Sequence, residues 1–161
     1  MSDGSETFRL DLRVNGKAHR ILVSADDTLL DVLRRDLRLF SCRETCGLGL
    51  CGSCTVIVDG RAVSASLAPA FTQEGAEVRT AEGLEEGESL HPVQQAFVEE
   101  QAFQCSFCTP GFLMSTVAMI EEEGPADMES ALTGHLCRCG SYRQILAAIG
   151  KVVSEGGSSD E

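Results

Sequence analysis

Fifteen residues, Ser41 to Thr55, carry four cysteines and three glycines: Cys42, Cys46, Cys51 and Cys54, with Gly47, Gly49 and Gly52 between them. Cys46-x4-Cys51-x2-Cys54 has the plant-type spacing of a loop that wraps a 2Fe–2S cluster. The glycines fit that task. Bridging sulfides are negative and take hydrogen bonds from backbone N–H groups, so the chain must pass close to them, often at positive φ, where a Cβ is in the way. A second set follows downstream, Cys105-x2-Cys108 with Cys137-x-Cys139. Four cysteines in two pairs suit a tetrahedral structural zinc as well as iron, and ligand count alone does not separate the two.

Eight cysteines behind the acidic, polar start MSDGSETFRL, which is no secretory signal, point to a reducing compartment and metal chemistry rather than disulfides. The expected localisation is cytoplasmic. Thirteen basic against twenty-five acidic residues, a net charge of −12, argue against nucleic acid or an anionic membrane as partner. No apolar run has the length of a membrane span. Gly47-x-Gly49-x-x-Gly52 matches a dinucleotide fingerprint, but it follows a helical pattern and precedes a strand, the reverse of what a nucleotide-binding turn needs. His19 reads as solvated, His91 as a helix-start residue, and His135 as a solvated loop residue with zinc ligation as the alternative. The acids Glu121 to Glu123 read as a solvated helix end.

The elements that must position these cysteines fall into two groups. Phe8, Leu10, Leu12 and Val14 alternate as in a half-buried strand over 7–14, Asn15-Gly16 signals a hairpin, and Lys17 to Val23 returns. From Thr28 the pattern turns helical, with Thr28 and Asp31 placed as a capping box. Past the cysteine loop come strands at Thr55 to Val58, Arg61 to Val63 and Glu77 to Thr80, with an Asp59-Gly60 turn. Six acids and three glycines between Glu74 and Glu88 mark a boundary. Helices are then expected from Pro92 to about Gln101, Thr109 to Glu123, Asp127 to about Leu132, and Tyr142 to about Val153. The expected class is α+β: a β-grasp, ferredoxin-like domain over 1–80, an acidic linker over 81–88, a four-helix bundle over 89–154, and a disordered tail over 155–161.

The segments CGLGLCGSCTVIVDGRAV, HPVQQAFVEEQAFQCSFCTPGFLMS and LTGHLCRCGSYRQI resemble the iron–sulfur subunit of the molybdenum hydroxylases, the xanthine oxidase, aldehyde oxidoreductase and carbon monoxide dehydrogenase group. The resemblance runs from about Phe8 to Val153. It implies two 2Fe–2S clusters, one per domain, with Cys105, Cys108, Cys137 and Cys139 holding the second. It also implies a large partner subunit with a molybdenum pyranopterin cofactor, and electrons leaving to FAD on a medium subunit or to a cytochrome. The assembly would be a hetero-oligomer, such as a dimer of heterotrimers. Gln104 and the turn at Cys139 would lie against the pterin, and no catalytic residue or substrate site would belong to this chain. A zinc-stabilised interaction module and a free-standing ferredoxin-like carrier are the alternatives.

Three departures from the family pattern stand out. The fourth ligand of the first cluster is expected within Val63-Ser64-Ala65-Ser66-Leu67, where Ser66 replaces the cysteine. Cys42 occupies a loop position that usually holds a non-ligand residue, and His135 and Gly140-Ser141 stand where Asn and Thr-Gly are usual. Cys42 could supply the fourth thiolate, Ser66 could ligate as an alkoxide, or the site could be damaged with Cys42 a buried spectator. Loss and gain of cysteine within one site favour Cys42.

Overall fold

The structure is a computed structural model that describes residues 6–85, 87, 89–121 and 132–156. The expected helix from Asp127 and most of the expected tail lie outside them. β1 (Thr7–Val14) and β2 (Lys17–Ser24) pair antiparallel through the Asn15-Gly16 turn, whose residues both have positive φ, 49° and 75°. That geometry matches the right-handed twist of the strands it joins. Leu10, Leu12 and Val14 are buried in alternation, as the period-2 pattern requires. The helix after Thr28 is shorter than its apolar pattern suggests. α1 (Leu29–Asp31) passes directly into a π-helical turn, Val32–Asp36. Its capping box is formed: Thr28 Oγ1 accepts from the Asp31 N–H at 3.2 Å, and the Asp31 carboxylate accepts from the Thr28 N–H at 2.9 Å.

β3 (Thr55–Val58), β4 (Arg61–Ser64) and β5 (Glu77–Arg79) complete a five-stranded mixed sheet of order β2-β1-β5-β3-β4. β5 runs parallel to β1 and antiparallel to β3. α2 (Pro92–Glu99), α3 (Thr109–Glu121) and α4 (Tyr142–Gly156) follow. His91 caps α2 by accepting the Val93 N–H on Nδ1.

Two apolar clusters form, one under the sheet around Leu10, Val14, Leu33, Val56 and Val78, the other among the helices around Phe97, Phe112, Met114 and Ile149. β3 serves both. All four of its residues are buried, Val56 and Val58 facing the sheet cluster and Ile57 the helical one. A strand covered on both faces reads as a continuous β-branched run, which is what Thr55 to Val58 is. Glu121 is not simply a solvated acid: its two carboxylate oxygens accept from Arg79 Nη2 at 2.6 and 2.8 Å, tying α3 to β5. No helix among the described residues is long and apolar enough to cross a membrane.

Candidate iron–sulfur sites

The first loop is wound by its glycines. Gly47, Gly49 and Gly52 all have positive φ, 63°, 66° and 70°. The backbone N–H of Leu48 thereby points at Cys46 Sγ, 3.4 Å away. That N–H, with the neighbouring Cys51 thiol and the N–H groups of Leu50 and Cys51, lowers the Cys46 thiol to about 7. A ring of N–H donors around a sulfur is the environment an anionic cluster requires.

The thiols act on one another in pairs: Cys51 helps to lower Cys46, Cys139 helps to lower Cys105, and Cys137 helps to raise Cys108. Cys54 Sγ faces Ser66 Oγ at 3.2 Å. All eight cysteines are free thiols. Among the described residues no three His, Cys, Asp or Glu side chains converge on a point that would hold a single ion. Pairs are what a two-iron cluster asks for, two protein donors to each iron, whereas a structural zinc draws all four donors around one centre.

In the second set, burial pushes the Cys108 thiol up to about 12, with the Cys137 thiol beside it adding to the shift. Burial also works on Cys137, but the N–H of Ser141 at 3.4 Å, the Cys108 thiol and the N–H groups of Gly140 and Cys139 outweigh it and hold Cys137 low. Ser141 Oγ is buried with no hydrogen-bond partner among the described residues, and its N–H bonds Cys137 Sγ. Gln104 Nε2 donates to the Cys139 carbonyl at 3.3 Å on the exposed side of this set.

Cys42 lies beside Cys54, both 2% exposed within the apolar cluster under the sheet, but its Sγ donates to the Cys54 carbonyl, at 3.2 Å, rather than facing the Cys54 thiol. Four further contacts hold that stretch. Arg34 Nη1 donates to the Cys42 carbonyl at 2.7 Å, the Arg43 N–H to the Ser53 carbonyl at 3.0 Å, and both the N–H and hydroxyl of Ser41 bind the Glu82 carboxylate. Burial pushes the Cys42 thiol up to about 12.

The two sets are joined back to back. The Leu136 N–H, one residue before Cys137, donates to the Cys51 carbonyl at 3.0 Å. A mostly apolar cavity of about 300 Å³ separates Cys51 from Cys105 and Cys108. His135 is wedged into this joint rather than solvated. Its Nε2 meets Ser115 Oγ at 2.7 Å, its ring packs on Phe112, and it lies so close to Gly52 that a Cβ there would be 2.5 Å from it. Burial lowers its pKa, so the ring is held neutral. Tyr142 completes the turn, its OH accepting the Cys137 N–H at 2.8 Å. Sequence reading made His135 a solvated loop residue, which this placement corrects, and it gave Tyr142 and Gly111 no part in the site. Only Gly111 carried a signal, as a glycine in the first turn of a helix, where alanine is the better helix former.

Comparison with known proteins agrees with this geometry. Residues 12–88 match the model of a 2Fe-2S iron-sulfur cluster binding domain, and residues 80–150 that of a [2Fe-2S] binding domain. The aldehyde oxidoreductase iron-sulfur-binding subunit PaoA of Escherichia coli (strain K12) is 40% identical over 93% of this chain and 73% of its own length. The nicotine 6-hydroxylase small subunit of Paenarthrobacter nicotinovorans is 40% identical over 90% and 89%. The crystal structure of quinoline 2-oxidoreductase from Pseudomonas putida 86 contains a chain that superimposes with a TM-score of 0.86, at 33% identity, covering 98% of this chain and all of that one. The chain belongs to the family of iron–sulfur small subunits of the molybdenum hydroxylases.

Proposed function

We propose that this chain relays electrons between a large molybdenum-cofactor subunit and a partner bearing FAD or a cytochrome, through two 2Fe–2S clusters. Cys105, Cys108, Cys137 and Cys139 hold one cluster. Cys46, Cys51 and Cys54 supply three ligands of the other, within the loop shaped by Gly47, Gly49 and Gly52. When bound, each cluster supplies a site for one electron. The chain's own residues hold the donor pairs, bury Cys51, Cys54 and Cys137 away from water, and fix the separation of the two sets. The observation that carries the reading is the Leu136 N–H to Cys51 carbonyl bond, because it joins a ligand loop of one set to that of the other by covalent bonds and a single hydrogen bond.

The division into a β-grasp domain over 1–80 and a helical domain over 89–154, with 81–88 between, is supported by the two apolar clusters and by the sheet order. Each set also has apolar side chains exposed beside it: Leu48, Leu50 and Leu67 at the first, Phe103, Phe107 and Leu136 at the second. Exposed apolar groups gathered at a site mark docking surfaces. The second set, with Gln104 on Cys139, is the face offered to the molybdenum subunit. The first faces the electron acceptor. The working assembly is a cytoplasmic hetero-oligomer, with the substrate pocket on the large chain.

The test is metal and sulfide analysis with EPR on the purified complex. About four iron and four sulfide per chain and two 2Fe–2S signals, both appearing on addition of the complex's substrate, are expected. A colourless chain carrying stoichiometric zinc would overturn the proposal.

A further inference from the structure

The structure assigns the fourth ligand of the first cluster to Ser66: the cluster is held by three thiolates and one serine alkoxide, with Cys42 excluded. This inference rests on the cluster-binding reading above and deepens it.

A 2Fe–2S cluster needs two donors on each iron. The second set provides four thiols, Cys105, Cys108, Cys137 and Cys139. The ligand loop of the first set provides three, Cys46, Cys51 and Cys54, and so lacks one donor. The side-chain donor facing Cys54 Sγ is Ser66 Oγ, 3.2 Å away. Two donors on one tetrahedral metal, each about 2.0 to 2.3 Å from it, stand roughly 3.5 Å apart, so Cys54 and Ser66 need move only a few tenths of an ångström to share an iron. Ser66 is also well anchored. The turn before it is fixed by the Ala65 N–H to the Cys54 carbonyl at 3.1 Å and by the Leu67 N–H to the Ser64 carbonyl at 2.9 Å.

Cys42 has the softer donor atom but the wrong position. Its sulfur points at a backbone carbonyl, the Cys54 oxygen, rather than at a partner side chain. Joining Cys54 on an iron would mean breaking that bond and turning the residue against the Arg34, Ser41–Glu82 and Arg43–Ser53 contacts. On binding, Ser66 releases its hydroxyl proton to solvent and the alkoxide carries the same single negative charge as a thiolate. Net cluster charge is therefore unchanged. The harder oxygen favours ferric over ferrous iron, which lowers the potential of this cluster relative to an all-thiolate one.

The test uses the full chain in its complex, with Ser66→Cys, Ser66→Ala and Cys42→Ala variants. Readouts are iron and sulfide content, EPR of the reduced protein and redox titration of each signal. Ser66→Cys is expected to keep the iron, alter one EPR signal only, and raise its potential. Ser66→Ala is expected to weaken or lose that signal, while Cys42→Ala keeps both signals and both potentials. A first-cluster signal that changes in Cys42→Ala but not in either Ser66 variant overturns the assignment, as does one indifferent to all three. Ser66→Cys adds only a sulfur for an oxygen, so it reports even if Ser66→Ala fails to fold. Wild-type protein without iron and sulfide would instead defeat the cluster-binding reading itself.

Discussion

Gly111 gives the sharpest test of the joint between the two donor sets. It lies in the first turn of α3, where alanine would ordinarily gain about 1 kcal/mol in helix propensity. Here the sign should reverse. A Cβ at Gly111 would lie 2.1 Å from the Gly52 carbonyl oxygen, 3.0 Å from its carbonyl carbon and 3.2 Å from Ser53 Cα. Carbon and oxygen in ordinary contact stay about 3.3 Å apart or more, so something must move by about 1 Å. Every atom in the way is backbone, and no rotamer change relieves it. Overpacking of that kind costs about 1 to 3 kcal/mol, which outweighs the propensity gain by up to about 2 kcal/mol. The apparent Tm should fall by up to about 8 °C for a chain of this size. Because Gly52 lies between Cys51 and Cys54, iron should leave the first set faster than the second during mild heating. Gly134→Ala is the control, since a Cβ there meets nothing within 4 Å. Scanning calorimetry alongside visible absorbance reads both effects. A Gly111→Ala chain as stable as the Gly134→Ala chain would refute the close approach of α3 to the loop.

Two further substitutions probe the scaffold. Asp27 has its carboxyl held below the usual 3.8, first by Arg35 and then by the Ser24 N–H, so its contribution is present above pH 3.8 and lost as pH falls through the lower folded value. Asp27→Asn should flatten the loss of stability below about pH 4 by at most about 1 kcal/mol, since Arg35 is half exposed, as read from urea midpoints at pH 3 and 7. Glu121→Gln breaks the Arg79 pair between α3 and β5, and should cost under about 1 kcal/mol at low salt. That difference should shrink in 1 M salt, and a salt-independent loss of Tm would show that the pair acts through packing instead.

Much of the fold was legible because its signals are local. The alternation of Phe8 to Val14, the Asn15-Gly16 and Asp59-Gly60 turns and the Thr28–Asp31 capping box each depend on residues a few positions apart, and each forms where the pattern puts it. The helix after Thr28 was legible only in its start. Leu29, Leu30, Val32 and Leu33 are apolar in helical spacing, but the chain widens to a π turn before it is four residues long. The cysteine sets were legible by spacing, their pairing was not. Whether Cys54 meets Cys42 or Ser66 depends on where β3 and β4 carry the following turn, and on the Glu82 and Arg34 contacts that draw Cys42 inward. Glu82 lies forty-one residues from Ser41 in an acidic stretch that composition marks as a solvated linker. His135 was illegible for the same reason, since a histidine in a glycine-flanked loop shows no sign of the surface it will fill.

What the joint excludes is motion. Electron tunnelling weakens steeply with distance, so a relay with two stations depends on their separation more than on either station alone. Cys51 and Cys137 could not separate without breaking the Leu136 bond, lifting α3 from Gly52 and pulling His135 out from between Ser115 and Phe112. The Leu136–Cys51 and Gly111–Gly52 contacts are backbone to backbone, the least compliant kind, and Arg43 stacked 5.2 Å from the Phe107 ring adds a side-chain contact across the same seam. Ile57 secures it from below, a residue of the sheet buried among the helices. The seam is therefore the part of the chain where small residues and a neutral, half-buried histidine are needed, and where a substitution that leaves each donor set intact would still impair passage between them.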